Sequence, residues 1–232
     1  MLMHRLEELG VDICFYLLRK AFGPLVRLIW IREVKGVHHI PKRGAAIVAF
    51  NHQSYFDFFC FLAISPRNVH FLAAEKFFEH FLWKHLMKAT GQIHVRRSAK
   101  DKREVHNKVF EHLSKGRIIG IFPEGTRAHE KEHMQKAFSG VAKYAIRGNV
   151  PVVPVGITGT YDILSRHARR VRFSKIVSLH IGAPMHFERY RGHKLNSRAY
   201  HVLTEDIMIA ISKLSGKSYL HAPSWKIHHT AN

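Results

Sequence analysis

The segment Asn51-His52-Gln53-Ser54-Tyr55-Phe56-Asp57 places an imidazole five positions ahead of a carboxylate. Histidine has the side-chain proton affinity nearest neutral pH, and a carboxylate bonded to one ring nitrogen leaves the other to take a proton from a substrate. On a continuous helix, residues five apart stand about 140° apart around the axis and do not face each other. A loop at His52 that runs into a helix at Asp57 removes that objection. His52 and Asp57 are therefore candidates for a general base and its orienting partner. The alternative is structural, with Ser54 as helix N-cap and Asp57 in the first turn, where the helix dipole favours a carboxylate.

A second group is Phe122-Pro123-Glu124-Gly125-Thr126-Arg127. Gly125 permits close backbone approach, Thr126 offers a hydroxyl, and Arg127 offers a planar fork suited to two phosphate oxygens. It reads either as an anion-holding loop or as a tight turn closed by a Glu124–Arg127 ion pair. Arg96 and Arg97 end the run Gly91-Gln92-Ile93-His94-Val95, either as anion partners or as a solvated pair.

The elements that must position these groups alternate. Short β-rich runs at 45–50, 69–74, 92–95, 117–122, 152–157 and 175–181 are separated by helical patterns at 55–64, 77–88, 100–114, 139–147 and 197–214. That order predicts an α/β fold with a largely parallel central sheet flanked by helices. His52 and Glu124 then both follow strands, at the carboxyl edge where such sheets bind ligands. The aromatic run Phe77–Met87 is either an amphipathic core helix or an apolar surface that meets a bilayer or a ligand.

Toward the N-terminus, Leu6, Leu9, Ile13, Tyr16 and Leu17 share one helical face, and Phe22, Leu25, Val26, Ile29 and Trp30 repeat the spacing after Gly23-Pro24. Pro24 cannot donate an interior helical hydrogen bond, so it marks a kink or the start of a second helix. We expect a two-helix amphipathic element over 1–33, packed on the body, lying in a membrane interface, or both. An α/β domain over 34–216 and a loosely held tail over 217–232 complete the expected organisation.

Together these residues resemble the glycerolipid acyltransferases, the family that includes 1-acylglycerol-3-phosphate acyltransferase. The family's first motif, Asn-His-four residues-Asp, matches Asn51, His52 and Asp57. Its second, a Gly-x-Ile run ending in Arg, matches Gly91, Ile93 and Arg97, with Arg96 where an acidic or amide residue is usual. Its third is present whole at 122–127, and its fourth resembles Val150-Pro151-Val152-Val153-Pro154-Val155. The resemblance covers residues 36 to 185 and departs from the pattern at Phe138, where many relatives carry Lys; Lys136 stands nearby.

The resemblance implies an O-acyltransferase that moves a fatty-acyl group to the free hydroxyl of lysophosphatidic acid, forming phosphatidic acid in phospholipid biosynthesis. Glycerol 3-phosphate, another lysophospholipid or an amino-acid lipid are alternative acceptors. It implies direct transfer, with His52 as base and Asp57 stabilising the imidazolium, while Asn51, Arg97, Glu124, Gly125, Thr126 and Arg127 hold the acceptor. The donor is acyl-CoA or acyl carrier protein, used as a substrate, and neither a resident cofactor nor a metal is expected.

Charge is consistent with anionic partners: 37 Lys and Arg against 17 Asp and Glu leave +20 with the 20 His neutral. An anionic membrane surface and a lysophospholipid acceptor fit. No helix-turn-helix, zinc-finger or RNA-recognition signature supports a specific nucleic-acid partner. No uncharged apolar run reaches the roughly 18 residues of a membrane span. A peripheral position on the cytoplasmic side of a membrane is expected. Only Cys14 and Cys60 occur, which suits a reducing compartment, and no leader pattern precedes a chain expected to start near Met1. His129-Glu130-Lys131-Glu132-His133 formally matches a zinc-protease signature, but the segment is almost wholly charged and reads as a solvated loop. The pairs His38-His39 and His228-His229 lack a third ligand by spacing. They read as surface residues.

Overall fold

The computed structural model describes residues 2–79, 81–95 and 103–221. Arg96, Arg97 and the His228-His229 pair lie outside the described residues.

Seven strands form one sheet in the order β1-β7-β6-β2-β5-β3-β4. They are β1 (Ile31–Lys35), β2 (Ala46–Phe50), β3 (Val69–Ala74), β4 (Ile93–Val95), β5 (Ile118–Ile121), β6 (Val152–Thr158) and β7 (Val177–Ile181). All neighbours pair in parallel except β6 and β7. The sequence Ala46-Ile47-Val48-Ala49-Phe50 is buried at every position, as an interior parallel strand covered on both faces requires. Ile47 and Ala49 point into one apolar cluster, and Ala46, Val48 and Phe50 into another. This is the two-residue alternation of a strand.

The first cluster lies under α5 (Arg103–Ser114), α6 (Gly140–Gly148) and α8 (Ser197–Ser215). The second lies under α1 (Leu2–Ile29) and α2 (Phe56–Ile64). α2 is apolar almost all round, and a helix of that composition is stable when covered on several sides. The sheet lies on one side of it and α1 on another. The expected helix over 77–88 is instead two, α3 (Lys76–Glu79) and α4 (Phe81–Ala89), and a short α7 (Thr160–Ile163) follows β6.

Three expectations change. The N-terminal element is one helix, not a pair: α1 continues through Pro24. A Cβ at Gly23 would stand 3.5 Å from the Ala63 carbonyl oxygen of α2, while Pro24 and Lys20 are exposed. The Lys20 carbonyl, which loses its partner to the proline ring, therefore has solvent beside it. Residues 31–35, assigned mostly to that helical pair, form the edge strand β1. The tail is anchored at its start: Lys217 and Tyr219 are buried, and Ser218 bridges His133.

Among the described residues no helix is long and apolar enough to cross a membrane. The outer face of α1 leaves Leu9, Ile13, Leu17, Phe22, Leu25 and Leu28 exposed.

Candidate active site

Parallel pairing of β2 with β5 puts both motif loops on one sheet edge, because Ala46 to Ala49 run alongside Ile118 to Ile121 in the same direction. Beyond Phe50 the chain enters a loop and turns into α2, so His52 precedes the helix and Asp57 lies in its first turn. His52 Nδ1 lies 2.9 Å from Asp57 Oδ2. The same oxygen accepts the backbone N–H groups of Gln53 at 2.9 Å and Ser54 at 3.0 Å. Asp57 is fully buried and its loop wraps around it. With Nδ1–H donating to Asp57, Nε2 of His52 carries the lone pair, and the side chain is 14% exposed. The N-cap of α2 is Tyr55 rather than the expected Ser54, whose Oγ instead closes the turn before the helix, accepting from Phe56 N at 3.0 Å and donating to the Leu164 carbonyl at 2.6 Å.

An aromatic column stands behind the histidine. The Phe122 ring stacks on His52 at 4.0 Å and on Phe71 at 5.7 Å, and Phe71 stacks on Phe50 at 5.5 Å. The ring therefore has an apolar wall on one face and an ion partner at one edge, which leaves Nε2 as the polar opening.

Glu124 is 2% exposed. Its Oε1 accepts from His52 N at 2.7 Å and its Oε2 from Gln135 N at 2.6 Å. It therefore staples the His52 loop to segment 134–135. Burial pushes its carboxyl up to about 8 against those two amide donors, and the Asp57 charge adds to the rise. Asn51 likewise bonds to the scaffold. It is 1% exposed, its Nδ2 donates to the Ile157 carbonyl at 2.8 Å, and its Oδ1 accepts from Ile157 N at 2.7 Å, joining the ends of β2 and β6.

Gly125 has a φ of +64°, and a Cβ there would meet the Phe138 ring at 2.8 Å. The position thus requires glycine on two counts. Phe138 packs over the 122–127 loop, with its N–H donating to the Pro123 carbonyl at 2.9 Å. Its ring is exposed. Thr126 and Arg127 are half-buried, and the Arg127 Cζ lies over the Tyr55 ring, 3.8 Å from its centroid. The guanidinium is held below its usual value by burial and then by the charge of Arg166, with Asp57 opposing. Ala128 N donates to the His52 carbonyl at 2.7 Å, which locks the two loops together.

Of the residues expected at the site, His52, Asp57, Glu124, Gly125, Thr126 and Arg127 are brought together, Asn51 lies beneath them, and Arg97 lies outside the described residues. Tyr55, Phe122 and Arg166 were missed. Tyr55 and Phe122 stood inside the motifs, but only packing gives them a task; Arg166 sits among other basic residues with nothing in the sequence to single it out. The His129–His133 segment is a loop, so its two histidines do not share the helical face that a zinc-protease signature needs.

The chain's similarities agree with this geometry. The family model described as "Acyltransferase" matches residues 31–158. The 1-acyl-sn-glycerol-3-phosphate acyltransferase of Saccharomyces cerevisiae is 28% identical over 173 residues, covering 68% of this chain and 56% of that protein. The alpha form from Mus musculus is 28% identical over 144 residues, 60% of this chain and 49% of that protein. The chain thus spans about half the length of these curated relatives. The crystal structure of the 1-acyl-sn-glycerophosphate (LPA) acyltransferase PlsC from Thermotoga maritima superposes with a TM-score of 0.68 at 22% identity, over 91% of this chain and 82% of that one, and so shares the fold. With the model matching more than half of its residues and the His52–Asp57 pair and the 122–127 loop on one sheet edge, the chain belongs to the acyltransferase family.

Proposed function

We propose that the protein transfers a fatty-acyl group from acyl-CoA or acyl carrier protein to the free hydroxyl of lysophosphatidic acid, forming phosphatidic acid. The observation that carries this reading is the His52–Asp57 pair opening beside Thr126 and Arg127. His52 Nε2 accepts the proton of the acceptor hydroxyl as its oxygen attacks the thioester carbonyl carbon. The new C–O bond forms, the tetrahedral oxyanion collapses, the C–S bond breaks, and the imidazolium returns its proton to the departing thiolate. Asp57 stabilises the imidazolium between those two transfers. No acyl-enzyme is needed, and both acyl donors enter as substrates rather than as a resident cofactor. Thr126 and Arg127 supply donors for the acceptor phosphate.

The exposed apolar face of α1, with Arg19 and Lys20 along the same helix and a net charge of +20, suits a peripheral position on an anionic bilayer. We place that bilayer on the cytoplasmic side.

The test is transfer of labelled acyl groups from each donor to lysophosphatidic acid in mixed micelles, with wild type beside His52→Ala. Wild type turns over and His52→Ala loses about 10²- to 10⁴-fold in kcat with its fold intact. Equal rates in the two proteins would remove His52 from the mechanism.

A further inference from the structure

Arg166 lies beyond the segment that the family model matches, on the loop after α7. That loop is fixed from two sides. Ser54 Oγ donates to the Leu164 carbonyl at 2.6 Å, and Lys131 Nζ pairs with Asp162 at 2.7 Å. Arg166 is thereby delivered to the anion loop. Its Nη1 stands 3.3 Å from His129 Nε2, 3.4 Å from Thr126 Oγ1 and 3.5 Å from the Arg127 carbonyl. One nitrogen shared among three acceptors at the outer limit of hydrogen bonding makes no strong bond with any of them.

Among the described residues no carboxylate pairs with Arg166 or with Arg127. The two guanidinium groups are close enough for the charge of Arg166 to lower the proton affinity of Arg127. Scaffold contacts hold these like charges together: the Tyr55 ring under Arg127, and the anchored 160–166 loop behind Arg166. Two half-buried cations arranged in this way are relieved by an anion placed between their donors.

We propose that Arg166, with His129 beside it, is the second arm of a clamp that closes with Arg127 and Thr126 on a phosphomonoester dianion. The inference rests on the acceptor reading above and names how that acceptor's phosphate is held. Arg127 and Thr126 approach it from the β5 loop, and Arg166 from the α7 loop.

Two measurements decide it. The first is direct binding of sn-glycerol 3-phosphate, with glycerol as the uncharged control, to wild type, Arg166→Gln and Arg166→Lys. Wild type binds the phosphate and not glycerol; Arg166→Gln weakens it about 10- to 100-fold, as loss of a charge-assisted contact predicts, and Arg166→Lys recovers part of the loss. No binding to wild type, or equal binding to wild type and Arg166→Gln, overturns the clamp. The second compares kcat/KM for lysophosphatidic acid with that for the same monoacylglycerol lacking the phosphate. Arg166→Gln loses at least about tenfold more on the phosphorylated acceptor; an equal loss on both assigns Arg166 a scaffold role and overturns the proposal. The binding arm needs no turnover, so it reads the clamp even where wild type transfers to neither acceptor, an outcome that sinks the acyl-acceptor reading instead. Unchanged melting temperatures exclude misfolding as the cause, and Arg166→Lys serves where Arg166→Gln fails to fold.

Discussion

Asp57 accepts three donors on one oxygen, the His52 ring and the amides of Gln53 and Ser54, so its charge shapes the loop and, in the proposed mechanism, steadies the imidazolium. Asp57→Asn keeps the size and removes the charge. It is expected to lower kcat by about 10²- to 10⁴-fold with the KM of the acceptor little changed, measured by steady-state transfer; a KM effect alone would assign Asp57 to binding. Glu124 offers a pH test. Its carboxyl, near 8 in the fold against an ordinary 4.5, keeps its proton in the folded chain while the unfolded chain has released its own. The stability this contributes is whole below 4.5, falls as pH rises toward about 8, and levels above it. His112, held down to about 4 from an ordinary 6.5 by burial and by the charges of His70, Arg117 and Lys115, has the opposite sign, losing stability as pH falls through that window. Glu124→Gln should therefore melt without the alkaline-going decline that wild type shows relative to it, and parallel melting curves across that window would refute the assignment.

At the scale of elements, the segment after α8 reaches back to the site. Ser218 N donates to the Glu132 carbonyl at 2.9 Å, Met134 N donates to the Ser218 carbonyl at 2.9 Å, and Lys217 Nζ pairs with Glu132 at 3.0 Å. The next amide along, Gln135 N, holds Glu124. Truncation after Gly216 removes this strap, and loosening a positioned loop by as little as 1 Å is enough to lower kcat about 100-fold. Hydrogen exchange at the Met134 and Gln135 amides should rise in the same variant, and protection equal to wild type would show that the strap does not hold the loop. The exposed stripe of α1 makes a second element-scale prediction. Ile13→Glu with Leu17→Glu should weaken binding to phospholipid vesicles, in a co-sedimentation assay, without changing the melting temperature, since both side chains are exposed.

The whole molecule carries +20, and charge of that magnitude acts through long-range attraction that salt screens. Binding to vesicles rich in anionic lipid should fall steeply between about 0.05 and 0.5 M salt, as the screening length shortens, while binding to zwitterionic vesicles changes little. Equal salt sensitivity on both surfaces would make the apolar face of α1 the sole determinant. At the same scale, β2 and β5 lie side by side in the middle of the sheet, and their carboxyl ends deliver His52 and the 122–127 loop to one edge.

Much of this was legible without coordinates. Runs such as Ala46–Phe50 and Val152–Thr158 are too apolar for anything but covered strands, and alternation with helical patterns implies parallel pairing. His52, Asp57 and the 122–127 loop announce themselves by chemical type and by following strands. Edge strand β1 was hidden because its pattern Ile31-Arg32-Glu33-Val34-Lys35 is charged at Arg32, Glu33 and Lys35, breaking a two-residue alternation, and adjoins a helix. α1 looked broken at Pro24 because sequence cannot show which side of a helix faces solvent. Only the tertiary structure could set Glu124 between the amides of His52 and Gln135, tie residue 218 to residue 134, and bring Arg166 within 3.4 Å of Thr126 across 40 positions. Local pattern determines which elements form, since propensity and burial act over a few residues; contacts between distant segments depend on how those elements pack, and that information is spread over the whole chain.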